Sequence, residues 1–368
     1  MVEITEVRTK KEMLAFIELP LKIYRSYPLY CPQLTFDLKT EFSPKNPFLN
    51  HGSVKFFLAH QGNECVGRIT SIVNDNHLKY QKDGAGFFGF FESANNHEVS
   101  SALLDTAAAE LRKQGLKTMR GPMNFSTNEE CGLAIDNYTS PPVIMMPYNP
   151  PYYENLLQSY GLGKAKDLYA YIYDVLPELP EKVLRVASIA EKKGITVRLI
   201  NLKEFVSDLR KFKELYNATW AKNWGFVPMT NEEIDFTGKK MKQIVVNDLI
   251  VLAEKDGETV GFLGMIPDFN YVLSKMKGKL NPITILKALY YSKKIKTLRL
   301  LLLGTKPEFQ KQGVDALMFR EAFKGLKRGK YANVEFSWIL EDNLPVQMLI
   351  KMIGGRHYKT YRIYEKPL

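Results

Sequence analysis

Two distant stretches of the chain repeat one order of apolar and polar positions. Residues 57–67 read FLAHQGNECVG, and residues 251–261 read VLAEKDGETVG. In each stretch, apolar residues flank a short polar segment that contains Gly, a pattern typical of two antiparallel strands joined by a tight turn. The sequence therefore predicts a β-hairpin in each stretch, with equivalent residues 194 positions apart.

A helix follows later in each copy. The apolar pattern that starts at Ala102 resembles the pattern that starts at Ala316, 214 positions later. Because internal repeats decide the architecture, the change in offset is informative. It means that the second copy holds about twenty extra residues after its hairpin, and we place them in the Lys-rich, partly helical segment Asp268–Thr297.

A third match closes each copy with a helix, a Gly and an aromatic strand. Tyr152–Tyr173 resembles Pro345–Glu365 in this order, and the offset falls to 193. The first copy must then contain an insert of its own. We place it in Gly121–Pro150, which is rich in Pro, Asn and Met and has no clear period, so we expect a structured loop.

The complete order in each copy is hairpin, strand, helix, strand, helix, strand. Such alternation predicts an α/β fold with a mixed sheet. Prolines mark the joint between the copies. We predict two tandem domains, residues 1–176 and 196–368, joined by a linker helix segment at 177–195.

The charge of the chain is uneven. The net charge is +11, but residues 1–175 carry 17 basic and 19 acidic side chains, whereas residues 176–368 carry 34 and 21. Such asymmetry indicates an anionic partner for the second half, and nucleic acid, a membrane surface or a phosphate-bearing cofactor would each fit. The basic residues are spread out and no nucleic-acid recognition motif accompanies them, so we expect no nucleic acid.

Other global features exclude further classes. No apolar run approaches the ~18 residues of a membrane span, so we expect no membrane partner. The first residues, Met1–Glu6, have neither a basic start nor an apolar run, which predicts no signal peptide. The three cysteines are widely spaced and the five histidines show no ligand spacing, so we expect reduced cysteines, a cytoplasmic location and no metal.

The most informative segment for chemistry is an apolar strand that leads into a polar turn and a helix. The strand covers Leu298–Leu303, and Gly313 opens the helix. A helix start presents unpaired N–H groups and the positive end of the dipole, which suits a pyrophosphate. Lys306 and Lys311 add positive charge beside it.

These residues resemble the acyl-CoA signature Q/R-x-x-G-x-G/A of the GNAT superfamily. Gln310 and Gly313 match, while Asp315 stands where the last small residue is usual; Asn343 and Gly354 resemble the closing motif. The whole chain is similar to bacterial two-domain GNAT proteins. The resemblance implies binding of acetyl-CoA or another acyl-CoA through Leu302, Leu303, Gln310, Lys311, Gln312, Gly313, Val314, Asp315, Ala316 and Asn343.

The first copy lacks this loop. The 214-residue offset places Asn96 at Gln310 and Val99 at Gly313. The flexible Gly is missing there, so we expect a degenerate first domain that does not bind CoA in the usual way.

Acylation of an amine requires a base for the amine proton and an acid for the departing thiolate. The resemblance implies a Tyr acid in the closing helix, but Ile350 stands at that position. Tyr358, Tyr361 and His357 are the catalytic candidates that remain, although tyrosines on a strand often pack and a loop His is often exposed.

Two loops and one hairpin end are candidates for substrate contacts. One loop packs aromatics, Pro and an amide together and includes Tyr148, Asn149 and Tyr152. Trp224 stands in a similar loop of the second copy, and Asp268 ends the second hairpin. Such loops often line pockets, although packing under the loop is the more usual reason for this composition.

Three functional hypotheses remain. The leading one is an acyl-CoA-dependent N-acyltransferase acting on a small amine. The second is a non-catalytic CoA- or metabolite-binding protein, which Ile350 and Asp315 favour. The third is an aminoacyl-transferring enzyme, for which the aromatic loops are the indication. The sequence names neither the acceptor, the acyl chain nor the oligomeric state.

Overall fold

The computed structural model describes residues 1–221 and 223–368. Its helices are α1 Lys10–Ile23, α2 Thr35–Glu41, α3 Asp75–Gln81, α4 His97–Lys113, α5 Tyr153–Ser159, α6 Glu181–Lys192, α7 Phe205–Trp220, α8 Asn231–Met241, α9 Asn270–Met276, α10 Pro282–Ser292, α11 Val314–Arg328 and α12 Leu344–Met352. Its strands are β1 Val2–Glu6, β2 Gly52–Gln61, β3 Glu64–Asn74, β4 Ala85–Ser93, β5 Thr118–Gly121, β6 Met123–Asn124, β7 Glu130–Cys131, β8 Leu133–Ala134, β9 Gly163–Asp174, β10 Thr196–Leu199, β11 Ile250–Lys255, β12 Glu258–Pro267, β13 Thr297–Thr305, β14 Asn333–Leu340 and β15 Arg356–Pro367.

The chain forms two compact units, and neither unit is continuous in sequence. The first contains Met1–Leu168, Asn270–Tyr291 and Lys359–Leu368; the second contains Tyr169–Phe269 and Ser292–Tyr358. The segment Asn270–Tyr291, which holds α9 and most of α10, therefore belongs with the first unit although it interrupts the second copy. The linear boundaries predicted at 176 and 195 stay a prediction.

The first unit is built on a mixed sheet with the order β1-β2-β3-β4-β5-β15. The predicted first hairpin is present, because β2 and β3 pair antiparallel up to Gln61 and Glu64. Strands β4 and β5 run parallel over only three residue pairs, which end at Phe87 and Arg120. Beyond these pairs β4 continues for six residues, to Ser93, without β5 beside it.

The second unit repeats this plan with the order β9-β14-β13-β12-β11-β10. The second predicted hairpin is present in β11 and β12, and it ends at Lys255 and Glu258. Strands β13 and β14 run parallel from Thr297 and Asn333 as far as Leu300 and Phe336. The predicted α/β fold with a mixed sheet is thus confirmed.

Equivalent glycines show how the two copies correspond. A Cβ at Gly67 would meet Val99 and Leu103 of α4, and a Cβ at Gly261 would meet Val314 and Met318 of α11. Each glycine lets a helix lie directly on its hairpin. This register places Glu98, and not Val99 as the sequence match predicted, at the position of Gly313; helix contacts fix the register more firmly than short matches of apolar residues.

Within the described ranges, none of the helices combines the length and the apolarity that crossing a bilayer requires. The same residues contain no group of three or more His, Cys, Asp or Glu side chains arranged to hold a metal ion.

Candidate functional site

The predicted phosphate loop lies at the start of α11. Gly313 has a φ of +85°, and an ideal Cβ on it would stand 2.2 Å from the carbonyl oxygen of Val186 in α6. Val183, Ala187 and Ala190 of α6 join Val314 and Leu317 in the core of the second unit. The absence of a side chain at Gly313 is therefore required by the close approach of α6, whether or not a phosphate binds there.

Asp315 points toward the preceding strand. Its carboxylate accepts a hydrogen bond of 2.5 Å from the hydroxyl of Thr305, and its removal from water raises its pKa. Gln310 donates to the carbonyl of Thr305 at 3.3 Å, and Gln312 donates to the carbonyl of Glu308 at 2.7 Å. The structure thus holds the predicted loop residues in one continuous turn by contacts among themselves.

The other predicted cofactor residues have structural partners. Leu302 and Leu303 lie on β13, half-buried, and Lys311 is exposed with a φ of +58°. Ala316 is buried in the first turn of α11. Asn343 caps α12, since its side chain accepts from the N–H of Val346 at 3.4 Å.

The predicted catalytic residues occupy different environments. Tyr358 donates a short hydrogen bond to Glu335, a fully buried residue of β14. The exposed His357 packs its ring against Tyr169 and Tyr171 at centroid distances of 4.9 and 5.5 Å. Tyr361 is buried in the first unit, where it pairs with Ala134 of β8.

Of the predicted substrate residues, Tyr148 and Asn149 line a cavity of the first unit. Tyr152 lies close by in sequence and donates to the carbonyl of Ser93 at 2.9 Å. Trp224 is half-buried in the second unit, and the N–H of Asp268 donates to Thr297 of β13 at 2.9 Å. The structure therefore brings two of the five residues to one concave site.

The cavity has a volume of about 130 Å³ and opens where β4 continues beyond its pairing with β5. Its wall comes from β4, from the turn after α1 and from the loop that precedes α5. The polar side chains that line it are Tyr24, Tyr30, Cys31, Gln33, Arg68, Glu92, Asn124, Glu130, Tyr148, Asn149, Tyr153 and Asn270. Ionisable groups thus meet inside a mainly buried site, which is typical of catalytic centres.

Glu92, at the end of β4, is the central ionisable group of the cavity. One carboxylate oxygen accepts a 2.6 Å hydrogen bond from the hydroxyl of Tyr153 in α5, and the other lies 3.5 Å from the guanidinium of Arg68. Burial raises the pKa of Glu92, and it outweighs the opposing effects of Arg68 and Tyr153. A carboxylate with a raised pKa is suited to accept and return a proton.

Tyr153 is the matching proton donor. Burial and the nearby Glu92 carboxylate raise the pKa of Tyr153 well above the usual tyrosine value, so its hydroxyl stays protonated. The same oxygen accepts from the N–H of Ser93 at 3.0 Å. The hydroxyl is thus held between β4 and α5 in one orientation.

Arg68 of β3 contacts the second carboxylate oxygen of Glu92. Its side chain is only 7% exposed, donates to the carbonyl of Phe16 at 2.7 Å and covers the Phe16 ring at 4.8 Å. Among the described residues, its buried Nε–H has no hydrogen-bond acceptor. An unsatisfied buried donor is unfavourable, and an oxygen of a bound ligand would satisfy it.

Aromatic side chains form the remaining wall. Tyr24 and Tyr30 stack with centroids 3.9 Å apart, and Tyr24 donates to the carbonyl of Tyr148 at 3.0 Å. Asn149 is fixed by hydrogen bonds with both backbone groups of Ala134. The loop predicted from its composition is therefore held rigidly against the cavity.

Glu92, Tyr153 and Arg68 are not among the site residues predicted from the sequence. A signal was present, because Glu92 is the one charged residue of the strand sequence AGFFGFFES and every position of that strand is buried. A charge within an apolar strand needs a partner or a function. The partners lie 24 and 61 positions away, so no local motif reveals them.

Two known proteins and one solved structure are similar to this chain over nearly its whole length. The chain is 32% identical over 366 residues to protein YghO of Escherichia coli, with 98% of this chain and 94% of that protein covered. It is also 32% identical over 371 residues to the bacterial ceramide synthase of Caulobacter vibrioides, with 98% and 96% covered. A solved tandem GNAT protein from the clavulanic acid biosynthesis pathway superposes with a TM-score of 0.58 at 12% identity, covering 100% of this chain and 98% of that chain. No protein-family model matches the chain.

Proposed function

This chain belongs to the family that contains E. coli YghO and the C. vibrioides ceramide synthase and has the tandem GNAT fold, and from that premise we propose that it is an acyl-CoA-dependent N-acyltransferase. We further propose that the acceptor is the amine of a long-chain base. A ceramide is such a base acylated on nitrogen, so the name of one relative supports this acceptor.

The buried pair of Glu92 and Tyr153 carries the proposal. Acyl-CoA supplies an acyl group activated as a thioester. Glu92 takes the proton of the amine as the C–N bond forms, and Tyr153 gives its proton to the thiolate as the C–S bond breaks. The proton on Glu92 moves to Tyr153 along their 2.6 Å hydrogen bond as Tyr153 gives up its own, so Tyr153 does not become a tyrosinate and both groups are restored.

Arg68 contributes a positive charge and an available donor beside this pair. The carbonyl oxygen of the thioester gains negative charge when the amine attacks it. A fixed donor in a site with little water stabilises that charge strongly. The Nε–H of Arg68, which has no acceptor within the described chain, is suited to this role.

The size of the cavity limits what it holds. Pockets that bury a whole drug-sized ligand measure roughly 300–1,000 Å³, whereas this cavity measures about 130 Å³. It has room for the reacting amine and carbonyl, but the hydrocarbon chains must lie outside it.

The structure gives no separate support to either helix start as a pyrophosphate site. At α4, the side chain of Asn96 already accepts from the N–H groups of Glu98 and Val99 at 2.8 and 3.4 Å. At α11, the close packing of α6 already explains why residue 313 is a glycine. The CoA contacts predicted around Gly313 therefore stay a prediction, and we assign no step to them.

The test is turnover of palmitoyl-CoA with sphinganine, followed by thiol release and by mass spectrometry of the amide. We expect product from the wild type and a loss of about 10²–10⁴-fold in kcat for Glu92→Gln, because general acid–base catalysis contributes that factor. The control is Asp167→Asn, which removes another buried carboxylate of the first unit, bonded to Arg362 at 2.7 Å and outside the cavity.

A second variant distinguishes the two units. Glu335→Gln alters the buried Glu–Tyr pair of the second unit, which includes the predicted catalytic Tyr358. Full activity of Glu92→Gln together with inactivity of Glu335→Gln would transfer the chemistry to the second unit. Binding of palmitoyl-CoA without turnover of any amine would instead support the non-catalytic hypothesis.

A further inference from the structure

Helix α10 exposes apolar side chains that a helix of a water-soluble protein normally buries. Ile283 and Leu286 are each 68% exposed, and Leu289 is 62% exposed. Leu280, Ile285 and Tyr290 are also exposed. We name these six residues the α10 patch. Contiguous apolar surface of this kind marks a site of interaction.

Helix α10 has a capped start and one side that packs against the rest of the first unit. The side chain of Asn281 accepts from the N–H of Thr284 at 3.0 Å, and Pro282 suits the first helical position. Thr284 is buried, and Tyr291 contacts Tyr271 of α9 edge-to-face at 5.9 Å. One narrow side thus anchors the helix, and the apolar residues occupy the side that faces solvent.

Further exposed apolar residues border the α10 patch. The N–H of Thr35 donates to the carbonyl of Gly278 at 3.1 Å, and a Cβ on Gly278 would lie 3.9 Å from Leu21. Leu21 is 42% exposed, and Phe36, next to Thr35, is 64% exposed. The apolar surface therefore extends from α10 to the ends of α1 and α2.

The charge around the patch is of one sign. Residues 270–291 contain four lysines and no Asp or Glu. All four are exposed: Lys275, Lys277, Lys279 and Lys287. Apolar side chains with surrounding lysines are the composition of helices that lie in the interface of an anionic membrane. In a symmetric dimer through this surface, equivalent lysines would face each other and repel.

We propose that the α10 patch docks the protein on the surface of an anionic lipid bilayer, with α10 lying in the plane of the headgroups. The proposal differs from the expectation of no membrane partner, which was based on the lack of a membrane-spanning apolar run. The docking surface adjoins the cavity, because Gln33 lines the cavity and a Cβ on Gly278, two residues before Leu280 of the patch, would lie 3.2 Å from the carbonyl oxygen of Gln33. A lipid chain that leaves the cavity then has an apolar surface beside it.

The test is flotation of the full chain with vesicles of equimolar phosphatidylcholine and phosphatidylglycerol, and with vesicles of phosphatidylcholine alone. We expect the wild type to float with the anionic vesicles and to dissociate as salt rises. The double variant Ile283→Ser/Leu286→Ser should bind at least about tenfold more weakly, since each side chain loses its apolar burial. The matched control is Leu344→Ser/Met348→Ser, which changes two exposed apolar residues of α12 and should bind as the wild type does.

Three outcomes would overturn the proposal: wild type that does not float, equal binding by the Ile283→Ser/Leu286→Ser variant, or equal loss in the α12 control. Sedimentation equilibrium without lipid gives a fourth: a dimer that this variant converts to monomer would assign the patch to a second copy of the chain. Flotation requires no turnover, so its result is independent of the proposed reaction.

Discussion

Substitution of Gly313 by Ala measures how strongly the start of α11 depends on contact with α6. Two effects oppose a side chain there. The φ of +85° is left-handed, which disfavours a non-Gly residue by about 1–2 kcal/mol. In addition, the new Cβ would stand 2.2 Å from the Val186 carbonyl oxygen, so α6 must move. Overpacking of this kind typically costs about 1–3 kcal/mol, which gives a total loss of about 2–5 kcal/mol.

Gly257 offers a matched control in the same unit. Its φ is +81°, but no atom lies within 4 Å of where its Cβ would be. Gly257→Ala should therefore lose only the conformational part, about 1–2 kcal/mol. The difference between the two variants isolates the contact with α6 and should be about 1–3 kcal/mol.

Urea unfolding followed by tryptophan fluorescence is a suitable assay, because all the tryptophans belong to the second unit: Trp220, Trp224 and Trp338. The midpoint and slope give the free energy of unfolding for each variant. Equal losses in the two variants, within about 0.5 kcal/mol, would show that α6 does not restrict Gly313. A titration of palmitoyl-CoA at low denaturant would then show separately whether Gly313→Ala changes CoA affinity in a protein that is still folded.

Two predictions concern pH. Burial raises the pKa of Glu92, so the fall of kcat/KM at acid pH should have its midpoint above the ordinary pKa of glutamate. The residual activity of Glu92→Gln should lack this fall. An unchanged fall of kcat/KM in that variant would contradict the assignment of Glu92 as the base. Burial favours a raised pKa at Asp83, but hydrogen bonds from His77, Arg120 and the N–H of Ala85 outweigh it and hold the pKa well below its usual range. The folded-state pKa is thus lower than the unfolded one, so Asp83 stabilises the fold above about pH 4 and loses this contribution as the pH falls. Thermal unfolding should show Asp83→Asn to be less stable by about 0.5–1.5 kcal/mol at pH 7, because solvent screens this partly exposed carboxylate, and the difference should shrink in acid; a constant difference would refute the linkage.

The fold was predictable because its signals are local. The hairpins at 57–67 and 251–261 and the helix that starts at Glu181 depend on alternation, turn residues and proline within short windows. The register between the copies was off by one residue at Val99, because matches of Ala and Leu between helices tolerate a slip that packing on Gly67 does not.

The candidate site was predictable only in part. The composition of one loop indicated Tyr148 and Asn149, which line the cavity. Glu92, Tyr153 and Arg68 lie on β4, α5 and β3, and only the folded sheet brings them together. The pattern at Gly313 has two physical explanations. A glycine at a helix start suits both a bound phosphate and a close contact with another helix, and the sequence alone does not separate these causes.

The discontinuous make-up of the first unit has a consequence for synthesis. Its strand β5 pairs with β15, where Tyr364 lies opposite Gly121 and Pro367 opposite Thr118. The ribosome must therefore release residue 367 before that edge of the sheet can close. Until then the nascent first unit exposes unpaired backbone groups along β5, so this unit cannot complete folding before residue 367 has emerged, and a fragment that stops at residue 176 would retain the open edge.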